Sequence, residues 1–73
     1  MARGLPLVSG RQVVAKLQRS GWTLDRWRGS HMMMTRPNYR WTLAIPDHKE
    51  IGPGLLRRLI KQAGLTIHQF KAL

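Results

Sequence analysis

The spacing of apolar residues along this chain changes from helical to alternating and then back to helical. Apolar residues recur every three or four positions in residues 10–20, alternate with other residues in three short runs between residues 22 and 45, and return to helical spacing in residues 53–64. A period of about 3.6 residues is typical of an amphipathic helix, and a period of two is typical of a half-buried strand. The pattern therefore predicts the order α-β-β-β-α, followed by a short C-terminal helical tail.

Capping residues mark the ends of the predicted helices. Two pairs have the spacing of a capping box: Ser9 with Gln12, and Thr66 with Gln69. In a capping box each residue's side chain satisfies a backbone N–H group that the first helical turn leaves free. Gly21 and Gly64 follow the two longer helical runs, in the position where glycine commonly ends a helix. These residues predict one helix before Gly21, a second before Gly64 and a short third helix after Thr66.

Turn residues separate the three alternating runs. Gly29 and Ser30 follow the first run, and the Arg36-Pro37-Asn38 turn follows the second. Pro46 ends the third because proline has no N–H to donate to a sheet. Strands joined by tight turns form an antiparallel meander, whose apolar face needs a cover. We predict an α+β fold in which both helices cover one face of a three-stranded antiparallel sheet, within a single domain of residues 1–73.

The alternation also assigns side chains to the two faces of the sheet. The predicted core side contains Trp22, Met32, Met34 and Trp41. Leu24 and Arg26 share the phase of Trp22, which leaves Trp27 on the opposite side as a surface on which a nucleic-acid base could stack. His31 has the phase opposite to that of Met32, so we expect it to be accessible.

Charge is the main compositional constraint on function. Lys and Arg total 13 against three acidic residues, which gives a net charge of +10. Nine of the 13 are arginine, whose planar guanidinium binds phosphate through two hydrogen bonds. Nucleic acid is therefore the favoured partner, and an acidic protein is the alternative. The cations are spread from Arg3 to Lys71, which disfavours a single basic helix that binds membrane.

The residue types that are missing limit the kind of site and the location. The sequence contains no cysteine, so disulfides and thiolate metal sites cannot form. His31, His48 and His68 lack the spacing of metal ligands, and no cluster of acidic residues supports them. The sequence has neither a signal-peptide pattern nor a run of about 18 apolar residues. We expect a cytoplasmic protein without cofactor, metal or membrane partner.

The predicted element order and the basic charge are those of double-stranded-RNA-binding domains. A series of motifs is more specific: Gly21-Trp22-Thr23-Leu24-Asp25-Arg26, Gly29-Ser30-His31, Pro37, Ile45-Pro46-Asp47-His48, Gly54-Leu55-Leu56-Arg57 and Lys61-Gln62-Ala63-Gly64-Leu65. In this order, over about residues 9–73, the motifs resemble the HicA family of bacterial mRNA interferase toxins. The resemblance implies a double-stranded-RNA-binding-like fold, metal-free cleavage of mRNA by the histidine at position 31, and silencing by a cognate HicB-like antitoxin.

Three positions depart from the pattern of that family. Met32 stands where the family often has a second histidine or an aromatic residue, and Asp47 precedes His48 where the family often has two imidazoles. A lysine that is common before the second helix is missing around Gly52. These departures affect an auxiliary histidine and one phosphate contact, and they leave His31 unchanged.

The residues around His31 also suit metal-free RNA cleavage on chemical grounds. In that reaction the ribose 2′-OH attacks the adjacent phosphate, so the site must accept a proton, stabilise the charge on the phosphate oxygens and protonate the leaving 5′-oxygen. An imidazole suits the proton steps because its ordinary pKa lies near working pH. Arg26 and Arg28, close to His31 in the predicted hairpin, suit the charge, and the Gly29-Ser30 turn leaves room for an RNA backbone.

Eight residues are candidate RNA contacts: Arg26, Arg28, Ser30, His48, Lys49, Arg57, Arg58 and Lys61. The three on the second helix can equally form its solvated side, and His48 is either a phosphate contact or has no role. The alternative function is a non-catalytic double-stranded-RNA-binding module in which His31 is incidental. A DNA-binding adaptor is disfavoured because the second helix has no preceding helix-turn-helix partner.

Overall fold

A computed structural model describes residues 4–73, and residues 1–3, which the predicted domain includes, lie outside the described part. The elements of the described part are α1 (Gly10–Arg19), β1 (Thr23–Arg28), β2 (His31–Thr35), β3 (Leu43–Pro46), α2 (Pro53–Gln62) and α3 (Ile67–Ala72). Their order confirms the predicted α-β-β-β-α arrangement with a short C-terminal helix. None of the helices within residues 4–73 is long and apolar enough to cross a membrane.

Both predicted capping boxes are formed. The Ser9 hydroxyl accepts a hydrogen bond from the Gln12 N–H at 3.1 Å, and the Gln12 side chain accepts one from the Ser9 N–H at 2.8 Å. Thr66 and Gln69 form the same reciprocal pair at 3.0 and 2.9 Å. Gly21 follows α1 with a φ of 105°, a conformation that glycine adopts without a steric penalty. Local sequence therefore determines where α1 and α3 begin and where α1 ends.

The strands form the predicted antiparallel meander, with β2 in the centre. The first residue of β2, His31, pairs with Arg28 of β1 and with Pro46 of β3. β3 begins at Leu43, two residues later than predicted, and it includes Pro46. Proline is tolerated there because β3 is an edge strand and Pro46 is its last residue.

A β-bulge at Asp25 changes the side-chain alternation of β1. Leu24 pairs with Met34 and Arg26 pairs with Met33, so Asp25 has no partner of its own in β2. Directly paired residues share a face of the sheet, and one extra residue reverses the phase of the residues that follow it. The prediction that Leu24 and Arg26 lie on one side is therefore wrong. Leu24 faces the helices, and Arg26 faces outwards.

One hydrophobic cluster lies between the helices and the inner face of the sheet. Its largest buried side chains are Trp22, Phe70, Leu17, Met32, Met34, Leu43, Ile45, Leu56 and Val13. In β2 and β3 the fully buried residues of this cluster alternate with more exposed ones, which leaves the outer face of the sheet open. Both long helices therefore pack on one face, and Trp22, Met32 and Met34 are core residues, as predicted.

Trp41 is not a core residue, and that prediction is wrong. The residue is 53% exposed, and it precedes β3, so the alternation of that strand does not extend to it. The indole Nε1 donates to the carbonyl oxygen of Gln62 at the C-terminal end of α2, at 3.1 Å. We call this end of the sheet, where residues 36–42 meet the last turns of α1 and α2, the loop end.

Candidate active site

His31 begins β2 directly after a two-residue turn. Gly29 and Ser30 connect Arg28 and His31, which pair with each other, and Gly29 has a φ of 57°. Tight hairpin turns need such a left-handed position, and glycine supplies it. The turn places His31 on the outer face of the sheet, where the residue is exposed. The expected accessibility of His31 is confirmed.

A pocket of about 260 Å³ on this outer face is lined by Arg28, His31, Met33 and Ala44. Arg28 and His31 are direct cross-strand partners, whose Cβ atoms lie roughly 5 Å apart in such pairs. The lining therefore combines one guanidinium and one imidazole with apolar side chains, and it contains no carboxylate. A pocket of this composition suits a phosphate group.

Arg26 lies on the outer face beside this pocket. It pairs with Met33, the next outward-facing residue of β2 after His31. Its Nη1 donates to the carboxylate of Asp25 at 2.6 Å, so the bulge residue holds this guanidinium. Arg26 reaches the outer face only because the bulge shifts the phase of β1.

The segment after β3 lies against the turn that precedes His31. The Asp47 N–H donates to the Ser30 carbonyl oxygen at 2.9 Å, and the Gly10 N–H donates to the His48 carbonyl oxygen at 2.9 Å. These bonds join the β1–β2 turn, the end of β3 and the start of α1, and we call this junction the site end. His48 is exposed here, so a second imidazole lies at the same end of the sheet as His31.

Arg11, which the sequence analysis did not single out, connects elements of the site end. Its guanidinium donates to both carboxylate oxygens of Asp47, from Nε at 3.0 Å and from Nη2 at 3.2 Å. This hydrogen bonding holds the pKa of the Asp47 carboxyl below its ordinary value and raises the pKa of Arg11. The two residues are 36 positions apart in the sequence, and no local pattern could have indicated the pair.

Trp27 lies on the helix side of the sheet rather than on the side opposite the core. It pairs with the buried Met32, because the bulge at Asp25 reverses the predicted phase. The residue is still 45% exposed, since Trp27 is near the end of an edge strand. The Arg11 guanidinium lies 5.5 Å from the ring centre and covers one of its faces.

The structure divides the predicted RNA contacts into two groups. One group lies at the outer face and the site end: Arg26, Arg28, Ser30, His48 and Lys49. The other group consists of exposed cations on α2, which packs against the inner face: Arg57, Arg58 and Lys61. A ligand confined to the outer face reaches the first group, and only a ligand that extends beyond an edge of the sheet reaches the second.

A second cavity, of about 280 Å³, lies between α1 and the end of the chain. Within its lining, Lys16 Nζ donates to the carbonyl oxygens of Phe70 and Leu73, at 3.4 and 3.1 Å. These bonds attach α3 to α1. Although this cavity is slightly larger than the His31 pocket, none of its lining residues carries an imidazole, and we assign it a structural role.

The comparison with known families bears on both the fold and the site. A family model described as the HicA toxin of bacterial toxin-antitoxin matches residues 10–65, from the first residue of α1 to just beyond α2. The match includes the whole sheet and the His31 pocket. No curated protein matches the chain. Because the family model covers well over half of the 73 residues, the chain belongs to the HicA family of toxins from bacterial toxin–antitoxin systems.

Proposed function

We propose that this toxin is a metal-independent endoribonuclease that cleaves mRNA in the cytoplasm and so inhibits translation, with His31 as its catalytic residue. The observation that carries the proposal is the exposed His31 beside Arg28 in a pocket without a carboxylate. Membership of a toxin family supports a ribonuclease activity. The net charge of +10 supports an RNA substrate.

In the proposed reaction the His31 imidazole accepts the proton of a ribose 2′-OH, and the 2′-oxygen forms a bond to the adjacent phosphorus. The bond between phosphorus and the 5′-oxygen breaks, and the leaving oxygen takes a proton from water or from His48 at the same end of the sheet. The products are a 2′,3′-cyclic phosphate and a 5′-hydroxyl. Arg28, the cross-strand partner of His31, stabilises the negative charge on the non-bridging oxygens.

The available donor groups support metal independence. Within residues 4–73, no three His, Cys, Asp or Glu side chains are grouped so that they could hold a metal ion. Metal-assisted phosphoryl chemistry relies on such groups, mainly on carboxylates. An imidazole and a guanidinium carry out the required proton transfer and charge stabilisation without them.

A HicB-like antitoxin is the proposed protein partner. The chain has only three acidic residues against 13 basic ones, so an acidic partner gains electrostatic attraction over most of this surface. An antitoxin that covers the outer face also closes the His31 pocket. We therefore expect a complex that inhibits cleavage and weakens as salt concentration rises.

The test compares wild-type protein with His31→Ala, using His68→Ala as a matched control, because His68 is an exposed imidazole on α3. We expect His31→Ala to abolish RNA cleavage and growth inhibition while RNA affinity and thermal stability change little, since an exposed side chain contributes little packing. His68→Ala should keep full activity. Chelator should leave cleavage intact, and a 2′-O-methyl ribose at the cut should stop it, because the attacking hydroxyl is gone.

Four results contradict the proposal. Unchanged cleavage by His31→Ala removes the histidine from its role. Chelator-sensitive cleavage points to a required metal ion. Cleavage at a 2′-O-methyl site points to an external nucleophile. Products that lack a 2′,3′-cyclic phosphate in an early time course also point to an external nucleophile, since attack by water forms no cyclic phosphate.

A non-catalytic double-stranded-RNA-binding module is the second candidate. The α-β-β-β-α order and the basic surface favour it. Such a module binds RNA duplexes through Arg and Lys contacts and cuts no RNA under any condition. Binding of matched RNAs by purified wild-type protein without any cleavage product would select this function over the first.

A further inference from the structure

The loop end has an exposed aromatic surface that the proposed reaction does not use. Trp41 is 53% exposed. Within residues 4–73, no aromatic ring and no cationic side chain stacks on its indole. Trp27, the other exposed tryptophan, has the Arg11 guanidinium over its ring. Trp41 therefore has the freer ring face of the two.

The indole of Trp41 is held in one orientation. Its only polar atom, Nε1, donates to the Gln62 carbonyl oxygen at 3.1 Å, so the exposed remainder of the side chain is apolar ring. This bond also satisfies one of the carbonyl groups that the end of α2 leaves free. A ring fixed in this way loses little conformational entropy when a flat ligand stacks on it.

The charged side chains of the loop end are all cations. Four cations lie at the loop end, on α1, the β2–β3 loop and α2: Arg19, Arg36, Arg40 and Lys61. The acidic residues lie elsewhere, with Asp25 bonded to Arg26 and Asp47 bonded to Arg11 at the site end. Glu50 follows Asp47 in the connector to α2. An aromatic surface surrounded by cations fits a ligand that carries both a flat ring and phosphates.

We propose that Trp41 is a stacking site for an unpaired base of the RNA substrate, with Arg40 and Lys61 contacting the flanking phosphates. This inference rests on the proposed ribonuclease function and extends it to a second RNA contact away from His31. Pro46, the strand partner of His31, lies five residues beyond Trp41, which is roughly 16 Å of extended chain. The base stacked on Trp41 is therefore several nucleotides from the cleaved bond, and the RNA between Trp41 and His31 follows the free edge of β3.

The experiment compares Trp41→Phe with Trp41→Leu. Both variants lose the Nε1 bond to Gln62, but only Phe keeps a ring. Binding is measured by fluorescence anisotropy in the non-cleaving His31→Ala background, with a labelled single-stranded RNA of about a dozen nucleotides and with a dinucleotide. We expect Trp41→Leu to weaken binding of the longer RNA by roughly 5- to 100-fold. Trp41→Phe should retain most of the affinity, and the dinucleotide should be unaffected by either change.

Each other outcome overturns the inference. If Trp41→Leu binds the longer RNA as tightly as the parent, the indole is not a stacking site, while cleavage by His31 is untouched. If Trp41→Phe is as weak as Trp41→Leu, the lost hydrogen bond is the cause. An equal loss for the dinucleotide places the effect at the cleavage site. If the parent binds neither RNA, the proposed function fails together with this inference.

Discussion

Arg11 and Asp47 show how single residues determine the geometry of the site end. Asp47 accepts two hydrogen bonds from Arg11 through its side chain, and its backbone N–H donates to Ser30, the residue just before His31. The pair therefore links α1 to the turn that places the imidazole. Because both side chains are partly exposed to solvent, the pair contributes to orientation more than to overall stability.

Asp47→Asn should lower stability at neutral pH, with a difference from wild type that disappears in acid. Because Arg11 holds the folded-state pKa of Asp47 below its ordinary value, the carboxylate stabilises the fold above that ordinary value. The stabilisation is lost as pH falls through the lowered folded-state pKa. Urea unfolding midpoints measured at neutral pH and at several acidic pH values test this.

Glu50→Gln is the control for this measurement, because Glu50 is exposed in the same connector and forms no ion pair within residues 4–73. Its unfolding midpoint should follow that of wild type more closely at every pH. An Asp47→Asn difference that stays constant down to the lowest pH would show that its cause is not the carboxylate charge.

At the scale of elements, α1 begins in direct contact with the end of β3. A Cβ atom built on Gly10 would overlap the Pro46 carbonyl oxygen, which is a backbone atom, and would crowd the end of the Met32 side chain. Only glycine allows this approach of helix to strand. The contact positions α1 so that Arg11 reaches Asp47.

Gly10→Ala should therefore destabilise the fold by about 2 kcal/mol or more, since overpacking against atoms that cannot move aside costs roughly 1–3 kcal/mol. Gly54→Ala is the matched control, because a Cβ at Gly54 meets nothing within 4 Å. Gly54 lies in the first turn of α2, where alanine should stabilise by up to about 1 kcal/mol. Thermal unfolding of both variants tests whether Gly10→Ala is destabilising and Gly54→Ala is stabilising. Equal stabilities of the two variants would contradict the close approach of Gly10 to Pro46.

Local sequence patterns predicted the helices and strands better than they predicted the face of the sheet on which each side chain lies. Two capping boxes and the turn glycines indicated the element order, and His31 was correctly placed on the open face because β2 is a regular strand. The bulge at Asp25 was not predictable, since no residue type marks it, and it reversed the expected side of Trp27. Trp41 was expected in the core because its spacing continues that of β3, but the strand begins only at Leu43.

The candidate site was predictable only in part for the same reason. Ser30 and His31 are adjacent in sequence, and a hairpin brings Arg28 beside them. Arg11 joins the site through a contact across 36 residues, which depends on how α1 packs on the sheet. Long-range contacts of this kind follow from tertiary packing, and no short sequence window contains them.

At the scale of the whole molecule, the basic residues lie on both sides of the sheet. Substitutions in the two groups should have different effects on RNA binding and on the cleavage rate. Arg57→Gln should weaken RNA binding and reduce its salt dependence, with a log–log slope smaller by about 0.7 for one lost phosphate contact on a single strand. Its cleavage rate at saturating RNA should not change, because α2 packs against the face opposite His31. Arg28→Gln should lower that saturated rate, since Arg28 lines the His31 pocket.

Steady-state kinetics at several salt concentrations separate the two variants. A lower saturated rate for Arg57→Gln would place α2 in the reaction, and an unchanged saturated rate for Arg28→Gln would remove this arginine from the stabilisation of charge. Arg58→Gln, on the same exposed helix, provides a second measurement for the α2 group.

The number of residues in β1 decides which of its side chains lie on the outer face of the sheet. Asp25 is the one residue of β1 that has no partner in β2, and everything after it in the strand is out of step by one position. Deleting Asp25 would remove the bulge and leave the pairs of Arg26 with Met33 and of Arg28 with His31 in place. Deleting Trp27 instead would place Asp25 opposite Met33 and Arg26 opposite Met32, so Arg26 would face the apolar interior although its codon is unchanged. An altered copy of such a toxin can therefore arise by losing three nucleotides outside the codons of His31 and the arginines, and a search for those residues alone would count that copy as intact.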